Sequence, residues 1–132
     1  MSRYELSLCD ADYTIYKLPR SYPLGELSGP ASTHFMALMY AQGEATIIAA
    51  DECRIDGQVK EAGWRRLTID GTLPFGIHGA LVQVLSPLAE AEVSVLVCSA
   101  FSTDHIFVKG ERLDVALDAL RRAHISVKEN AA

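Results

Sequence analysis

The sequence lacks the features of several specialised protein classes. Its three cysteines, Cys9, Cys53 and Cys98, lie far apart and form no Cys-x-x-Cys pair, which argues against a disulfide framework and favours a reducing compartment. No apolar run approaches the roughly 20 residues that a membrane-spanning helix needs. The N-terminus has no basic flank followed by an apolar core, so we predict no signal peptide, no membrane association and a cytoplasmic location.

Positive charge is also scarce. The chain has 12 Lys and Arg against 17 Asp and Glu, and its formal net charge is −5. Nucleic-acid binding favours a basic surface, so we expect no nucleic-acid partner. The 132 residues are 49% hydrophobic and 22% charged, which predicts one globular unit or two small halves with a shared core.

Signatures of catalysis and metal binding are missing. There is no Gly-x-Ser-x-Gly, His-Glu-x-x-His, phosphate-binding or dinucleotide-binding motif. The four histidines stand far apart, and neither they nor the cysteines have zinc-site spacing. We therefore predict no enzyme, no metal and no cofactor. The alternative of a small enzyme would require an acid–base pair, such as His78 within hydrogen-bond reach of Asp104.

Hydrophobic periodicity predicts the order of elements in the second half of the chain. Apolar residues recur at helical spacing in two segments, and short apolar runs separate these segments. The predicted elements are strand 64–71, helix 80–92, strands 93–101 and 104–110, helix 111–123 and strand 124–129. This β-α-β-β-α-β order is typical of the α+β, ferredoxin-like fold, in which both helices cover one face of an antiparallel sheet.

The first half gives a similar but weaker pattern. We predict a turn at 10–12 within residues 4–18, a Pro-rich loop with one helical turn at 24–27, and a hairpin. The hairpin joins apolar runs 35–40 and 45–50 through Gln42-Gly43-Glu44. A polar segment, 53–63, is the expected boundary, so the predicted halves are residues 1–60 and 61–132.

Two stretches are candidate binding sites. A Gly-rich loop leads into the first helix, where free backbone N–H groups attract a carboxylate or phosphate. A cluster of small polar residues joins the two strands that follow, and its acid suits an ammonium group. The alternative is that both are ordinary connections whose polar groups satisfy their own turns. The candidate residues are Gly71, Thr72, Leu73, Pro74, Phe75, Gly76, Ile77, His78 and Gly79 in the loop, and Ser99, Ser102, Thr103 and Asp104 in the cluster.

These segments together resemble the ACT domain family, in its CASTOR type with two ACT-like halves. The resemblance covers about half the chain without gaps. It follows the pattern Glu-x-Gly-Trp-Arg, a strand ending in glycine, a Pro-Leu-Ala-x-Ala helix end and a Thr-Asp pair before a strand. The matching residues are Glu61, Gly63, Trp64, Arg65, Gly71, Leu73, Phe75, Gly79, Leu81, Pro87, Leu88, Ala89, Ala91, Ser99, Phe101, Thr103, Asp104, Leu113, Ala116 and Leu120.

The resemblance implies a regulatory function. ACT domains typically sense small molecules, usually amino acids, pair side by side and bind near the loop between the first strand and first helix. This implies an amino-acid ligand, a homodimer and a separate, unidentified regulated protein. Ala100 stands where the family has threonine and His105 where it has an aromatic residue. These departures favour the alternative of an interaction or dimerisation module that has lost ligand binding.

Overall fold

The computed structural model describes residues 4–23, 35–70 and 79–131, with side chains to residue 129. Within these ranges seven strands and two α-helices follow one another. They are β1 (Glu5–Pro19), β2 (Met36–Ala41), β3 (Glu44–Ala50), β4 (Val59–Ile69), α1 (Ala80–Glu90), β5 (Val95–Ser99), β6 (Asp104–Lys109), α2 (Leu113–Arg122) and β7 (Ser126–Ala131). No helix in this part of the chain is both long and apolar enough to cross a membrane.

The chain divides into two compact units. The discontinuous unit contains Met1–Asp10 and Trp64–Ala132, and the continuous unit contains Ala11–Gly63. These units differ from the predicted halves 1–60 and 61–132, because residues 4–10 group with the C-terminal segment. The assignment of residues 1–60 to an N-terminal ACT-like half stays a prediction.

The discontinuous unit has a ferredoxin-like architecture, as predicted. Its antiparallel strands run β5-β6-β4, and β1 is the next neighbour of β4. Successive side chains on a strand point to opposite faces of the sheet. Every second residue of these strands therefore packs against the two helices, and together they form one core. This core contains Leu6, Leu8, Leu67, Ile69, Ile106 and Val108 from the strands and Ala80, Val84, Leu88, Ala116, Leu117 and Leu120 from the helices.

The first part of β1 is an addition to the predicted β-α-β-β-α-β order. Glu5 pairs with Ser126 and Leu6 with Val127 of β7, and these two strands are parallel. This parallel pair adds a strand to the predicted antiparallel arrangement of the other strands. The predicted turn at 10–12 is also wrong, since β1 continues through these residues as one strand. Aspartates disfavour a strand locally, but ladder hydrogen bonds on the two sides of them override that preference.

The continuous unit is built on the order β2-β3-β1, with antiparallel pairs throughout. The predicted hairpin is confirmed: Gln42 and Gly43 connect β2 to β3 with φ angles of 54° and 77°. Positive φ at both central residues is the mark of a type I′ turn, whose twist matches that of the flanking strands. The helical turn predicted at 24–27 lies outside the described residues.

Gly57 lies where the loop after β3 crosses β1. A methyl group there would lie 2.8 Å from Cδ2 of Leu18 and 3.1 Å from Cδ2 of Tyr16, and both of these side chains are buried. We expect Gly57→Ala to lower the free energy of unfolding by about 1–3 kcal/mol, the usual cost of overpacking. Urea denaturation measures this. Gln58→Ala, at an exposed neighbouring position, should change stability little, and equal effects of the two variants would contradict the steric explanation.

Candidate functional site

The polar cluster forms a tight turn between β5 and β6. Ser99, the last residue of β5, pairs with Asp104, the first residue of β6. The Ala100 N–H donates to the Thr103 carbonyl over 2.9 Å, and the Thr103 Oγ1 donates to the Ile69 carbonyl over 2.6 Å. The turn is therefore fastened to the end of β4.

This fastening brings the polar cluster beside the origin of the Gly-rich loop. β4 and β6 are antiparallel neighbours, with Thr68 opposite His105. The last residues of β4 and the first residues of β6 therefore lie at the same end of the sheet. The loop leaves β4 after Asp70, and Gly79 ends it at the start of α1. The loop residues Gly71 to His78 lie outside the described residues, so their part in a site stays a prediction.

The start of α1 offers backbone donors. Gly79 is the N-cap residue with a φ of 82°, no side chain caps the helix, and its first turn contains no acidic residue. The Gly79 carbonyl accepts the first helical hydrogen bond from the N–H of Gln83 over 2.9 Å. The N–H groups of the intervening residues have no partner within the helix, and the helix dipole makes this end attractive to an anion.

The polar residues of the turn differ in what they can offer a ligand. Thr103 donates its hydroxyl proton to β4 and so holds the turn in place. Its contact with a ligand stays a prediction. Ser99 and Ser102 are exposed, and Asp104 is half-buried. In the part of the chain that the structure describes, no hydrogen bond or ion pair engages the Asp104 carboxylate.

A hydrogen-bonded network of three side chains, which the sequence did not predict, lies next to Asp104. Arg66 Nη1 donates to Thr68 Oγ1 over 2.6 Å, and Thr68 Oγ1 lies 2.8 Å from His105 Nδ1. Since the Thr68 hydroxyl already accepts from Arg66, its own proton is available to Nδ1 of a neutral imidazole. Burial, with a smaller contribution from the Arg66 charge, lowers the pKa of His105 from 6.5 to about 4, although Asp104 acts in the opposite direction.

His105 should make folding stability depend on acid pH. A histidine whose folded pKa lies below its unfolded value binds protons better when unfolded. Its favourable contribution is therefore complete above about pH 6.5 and is lost as the pH falls towards about 4. Because the ring is only half-buried, we expect a loss on the order of 1–2 kcal/mol.

The measurement is urea denaturation between pH 4 and 7 of the wild-type chain, His105→Phe and His124→Asn. His124 is exposed and has a φ of 65°, a conformation that asparagine tolerates. The phenylalanine variant should lose less stability than the wild-type chain over this range, and the asparagine variant should follow the wild-type curve. Identical curves for all three would show that His105 does not titrate as inferred.

The three cysteines occupy buried or half-buried positions. Cys9 and Cys53 are buried and Cys98 is half-buried. Burial raises the pKa of the Cys53 and Cys98 thiols, which lowers their thiolate fraction at neutral pH. Within the described ranges no group of three or more His, Cys, Asp or Glu side chains is placed to hold a metal ion.

Two aromatic residues of this unit differ in burial. Trp64 is buried beneath Lys109, whose Nζ lies 4.9 Å from the ring centroid. Phe101 falls within the predicted strand 93–101, but β5 ends at Ser99, and Phe101 is 81% exposed in the turn. The alternation of buried and exposed residues predicts side-chain orientation within a strand but not within a turn. The exposure of the Phe101 side chain therefore could not be predicted from the sequence.

Comparison with known proteins finds a family match for the C-terminal part of the chain. The model of the ACT domain matches residues 59–122. A Bos taurus protein named cytosolic arginine sensor for mTORC1 subunit 1 is 37% identical over 70 residues, which cover 49% of this chain and 21% of that protein. The chain thus spans about a fifth of the length of this relative.

Two solved structures share the fold. A crystal structure of an Agobacterium tumefaciens protein has a TM-score of 0.87 at 22% identity and covers 100% of this chain and 97% of its own. The regulatory subunit of aspartate kinase from Thermus thermophilus has a TM-score of 0.59 at 12% identity, with 89% and 95% covered. Residues 59–122 of this chain therefore match the ACT domain, and the chain shares its fold with these two structures.

Proposed function

We propose that this chain is a non-enzymatic regulatory protein that binds an amino acid. The observation that carries the proposal is the bond from Thr103 to the Ile69 carbonyl, which holds the turn containing Asp104 beside the origin of the Gly-rich loop. An amino acid needs an acceptor for its ammonium group and donors for its carboxylate. Asp104 is suited to the first requirement, and the first turn of α1 to the second.

The known proteins support the regulatory part of this proposal. The matching relative is named an arginine sensor, and a structural neighbour is the regulatory subunit of a kinase. In the proposed function, the chain acts in the cytoplasm as a homodimer and transmits ligand binding to a separate regulated protein. Gly71–Gly79 provide backbone contacts, and the Ser99 and Ser102 hydroxyls add polar contacts.

Thermal denaturation in the presence of each of the twenty amino acids tests the proposal. A ligand that binds only the folded chain at about 100 times its dissociation constant stabilises it by about 2.7 kcal/mol, which corresponds to a shift of several degrees. Calorimetry on any stabilising amino acid then gives the affinity and stoichiometry. If no amino acid shifts the transition, the sensor proposal is wrong and the interaction-module alternative replaces it.

A further inference from the structure

A groove lies between α1 and α2, on the side of the two helices that faces away from their core. Its volume is about 510 Å³, and most of the residues that line it are apolar. These apolar residues are Pro87, Ala91, Val115, Ala119 and Ala123. None of the five is fully buried in the folded chain, so an apolar surface is open to a partner.

The spacing of these residues suits a helix as the occupant. Val115, Ala119 and Ala123 recur every four residues along α2 and its C-cap. Pro87 and Ala91 have the same interval at the end of α1. Rows of residues four apart form the ridges and grooves through which helices pack, at interaxial distances of about 8–10 Å. Because the three alanine side chains are single methyl groups, the backbone of a third helix can approach this closely.

The charges beside the groove favour a basic partner. Asp118 Oδ2 lies 3.0 Å from Arg122 Nε, so these two side chains neutralise each other. Glu90 also lines the groove, and Asp114 lies about one helical turn before Asp118. In the ranges that the structure describes, neither Glu90 nor Asp114 forms an ion pair. This surplus of negative charge attracts a cationic partner and repels a second copy of a chain whose net charge is −5.

We propose that this groove binds an amphipathic, basic helix of another protein. The apolar face of that helix lies between Pro87 and Ala119, and its Lys or Arg side chains lie beside Glu90 and Asp114. Recognition of this kind uses apolar anchors at i, i+3 or i+4, and i+7 of the bound helix. α1 has 11 residues and is therefore about 16 Å long, which limits the contact to about three turns of the bound helix.

The groove also gives the proposed regulatory function a contact surface. The first turn of α1 lies beside the proposed amino-acid site, whereas Pro87 and Ala91 at its other end line the groove. A displacement of α1 on ligand binding would therefore reach the bound helix directly. This link rests on the proposed function, but the binding of the helix does not.

Selection from a phage-displayed library of helical peptides tests the proposal. The library fixes leucine at i, i+4 and i+7 in peptides of about 15 residues and varies the polar face among Lys, Arg, Gln and Glu. We expect selection against the complete chain to enrich peptides of net positive charge. Once synthesised, these peptides should bind with dissociation constants of about 1–100 μM, and more weakly at high salt. Enrichment of neutral or acidic peptides, or no enrichment, would overturn the proposal.

Substitutions in the groove locate the bound peptide. Glu90→Arg should raise the dissociation constant about tenfold or more, because like charges would then face each other. Ala89→Arg is the matched control, since Ala89 is exposed on the same helix but does not line the groove, and we expect a change of about twofold or less. Ala119→Arg fills the groove and should abolish binding, with thermal denaturation to check that this variant folds. Equal losses in the variants at 89 and 90 would contradict the proposed location.

The oligomeric state separates this occupant from a second copy of the chain. If the wild-type chain forms a dimer that Glu90→Arg and Ala119→Arg dissociate, a second copy covers the groove and the proposal is wrong. Peptide binding is measured without any amino acid, and the amino-acid screen is run without any peptide. Each of the two proposals therefore succeeds or fails by its own measurement.

Discussion

A fragment of residues 61–132 should not fold on its own, although it contains all but the first two residues of the segment that matches the ACT domain. The discontinuous unit includes residues 4–10, and the fragment lacks them. We expect the isolated fragment to show no cooperative thermal transition, whereas the complete chain shows one. Circular dichroism and calorimetry on both proteins make this comparison directly.

The expected effect is large because the missing strand is central to the core. Tyr4, Leu6 and Leu8 are 8%, 0% and 2% exposed and pack in the cluster formed by both helices. Burying such a side chain contributes roughly 1.5–3 kcal/mol, so the loss of three removes about 4.5–9 kcal/mol, comparable with the roughly 5–15 kcal/mol that stabilises a typical domain. β7 would also lose its ladder partner.

A permuted chain provides the rescue control. Residues 63–132 are followed by a flexible linker and residues 1–12. Because β7 and β1 are parallel, the linker must return along the length of a strand, about 20 Å, which about 12 Gly and Ser residues reach. We expect this chain to fold, and the same chain with Leu6→Asp to remain unfolded. A cooperative transition in the isolated 61–132 fragment would refute the inference that residues 4–10 complete the unit.

Asp104→Asn should abolish most of the amino-acid binding that we propose. The substitution keeps the shape of the side chain and removes the negative charge that we expect to meet the ligand ammonium. Losing one partner of a desolvated charge pair costs 2–5 kcal/mol, and for this half-buried carboxylate we expect an affinity loss of about 100-fold. Calorimetry with the stabilising amino acid measures the dissociation constants.

The stability of the unliganded chain separates this effect from misfolding. The Asp104 carboxylate has no hydrogen-bonding partner among the described residues, so the variant should unfold at nearly the wild-type temperature. Asp114→Asn is the matched control, because Asp114 is exposed in the first turn of α2. Unchanged affinity in Asp104→Asn would move the ammonium site elsewhere, and equal losses in both variants would indicate a nonspecific effect of charge.

Local patterns predicted the elements of the C-terminal segment well. Leu81, Val84 and Leu88 recur at helical spacing, and α1 spans Ala80–Glu90 with Val84 and Leu88 in its buried face. Pro87 lies inside this helix without ending it. The Gln42-Gly43 turn was predicted equally well, because a short polar link that contains glycine between two apolar runs favours a hairpin. Such signals are contained within a few neighbouring residues.

The site was predicted less completely. Ser99, Thr103 and Asp104 were identified by their chemistry, but the use of Thr103 as a fastening to Ile69 depends on a residue 34 positions away. The network of Arg66, Thr68 and His105 is likewise formed by two strands that the sequence separates by more than 30 residues. Residue types were enough to predict a candidate ligand site, whereas the hydrogen-bond partners depend on which strands pair.

The sequence alone was enough to predict the β-α-β-β-α-β order, the resemblance to the ACT domain and the position of the polar turn, because each depends on local periodicity or on a contiguous motif. The fold in three dimensions was needed to show that the first part of β1 completes the discontinuous unit by pairing with β7, and that β2 has one neighbour among the described strands. Strand pairing is a choice among distant partners with similar apolar patterns. It is decided by which arrangement buries Leu6 and Leu8 while satisfying their backbone groups.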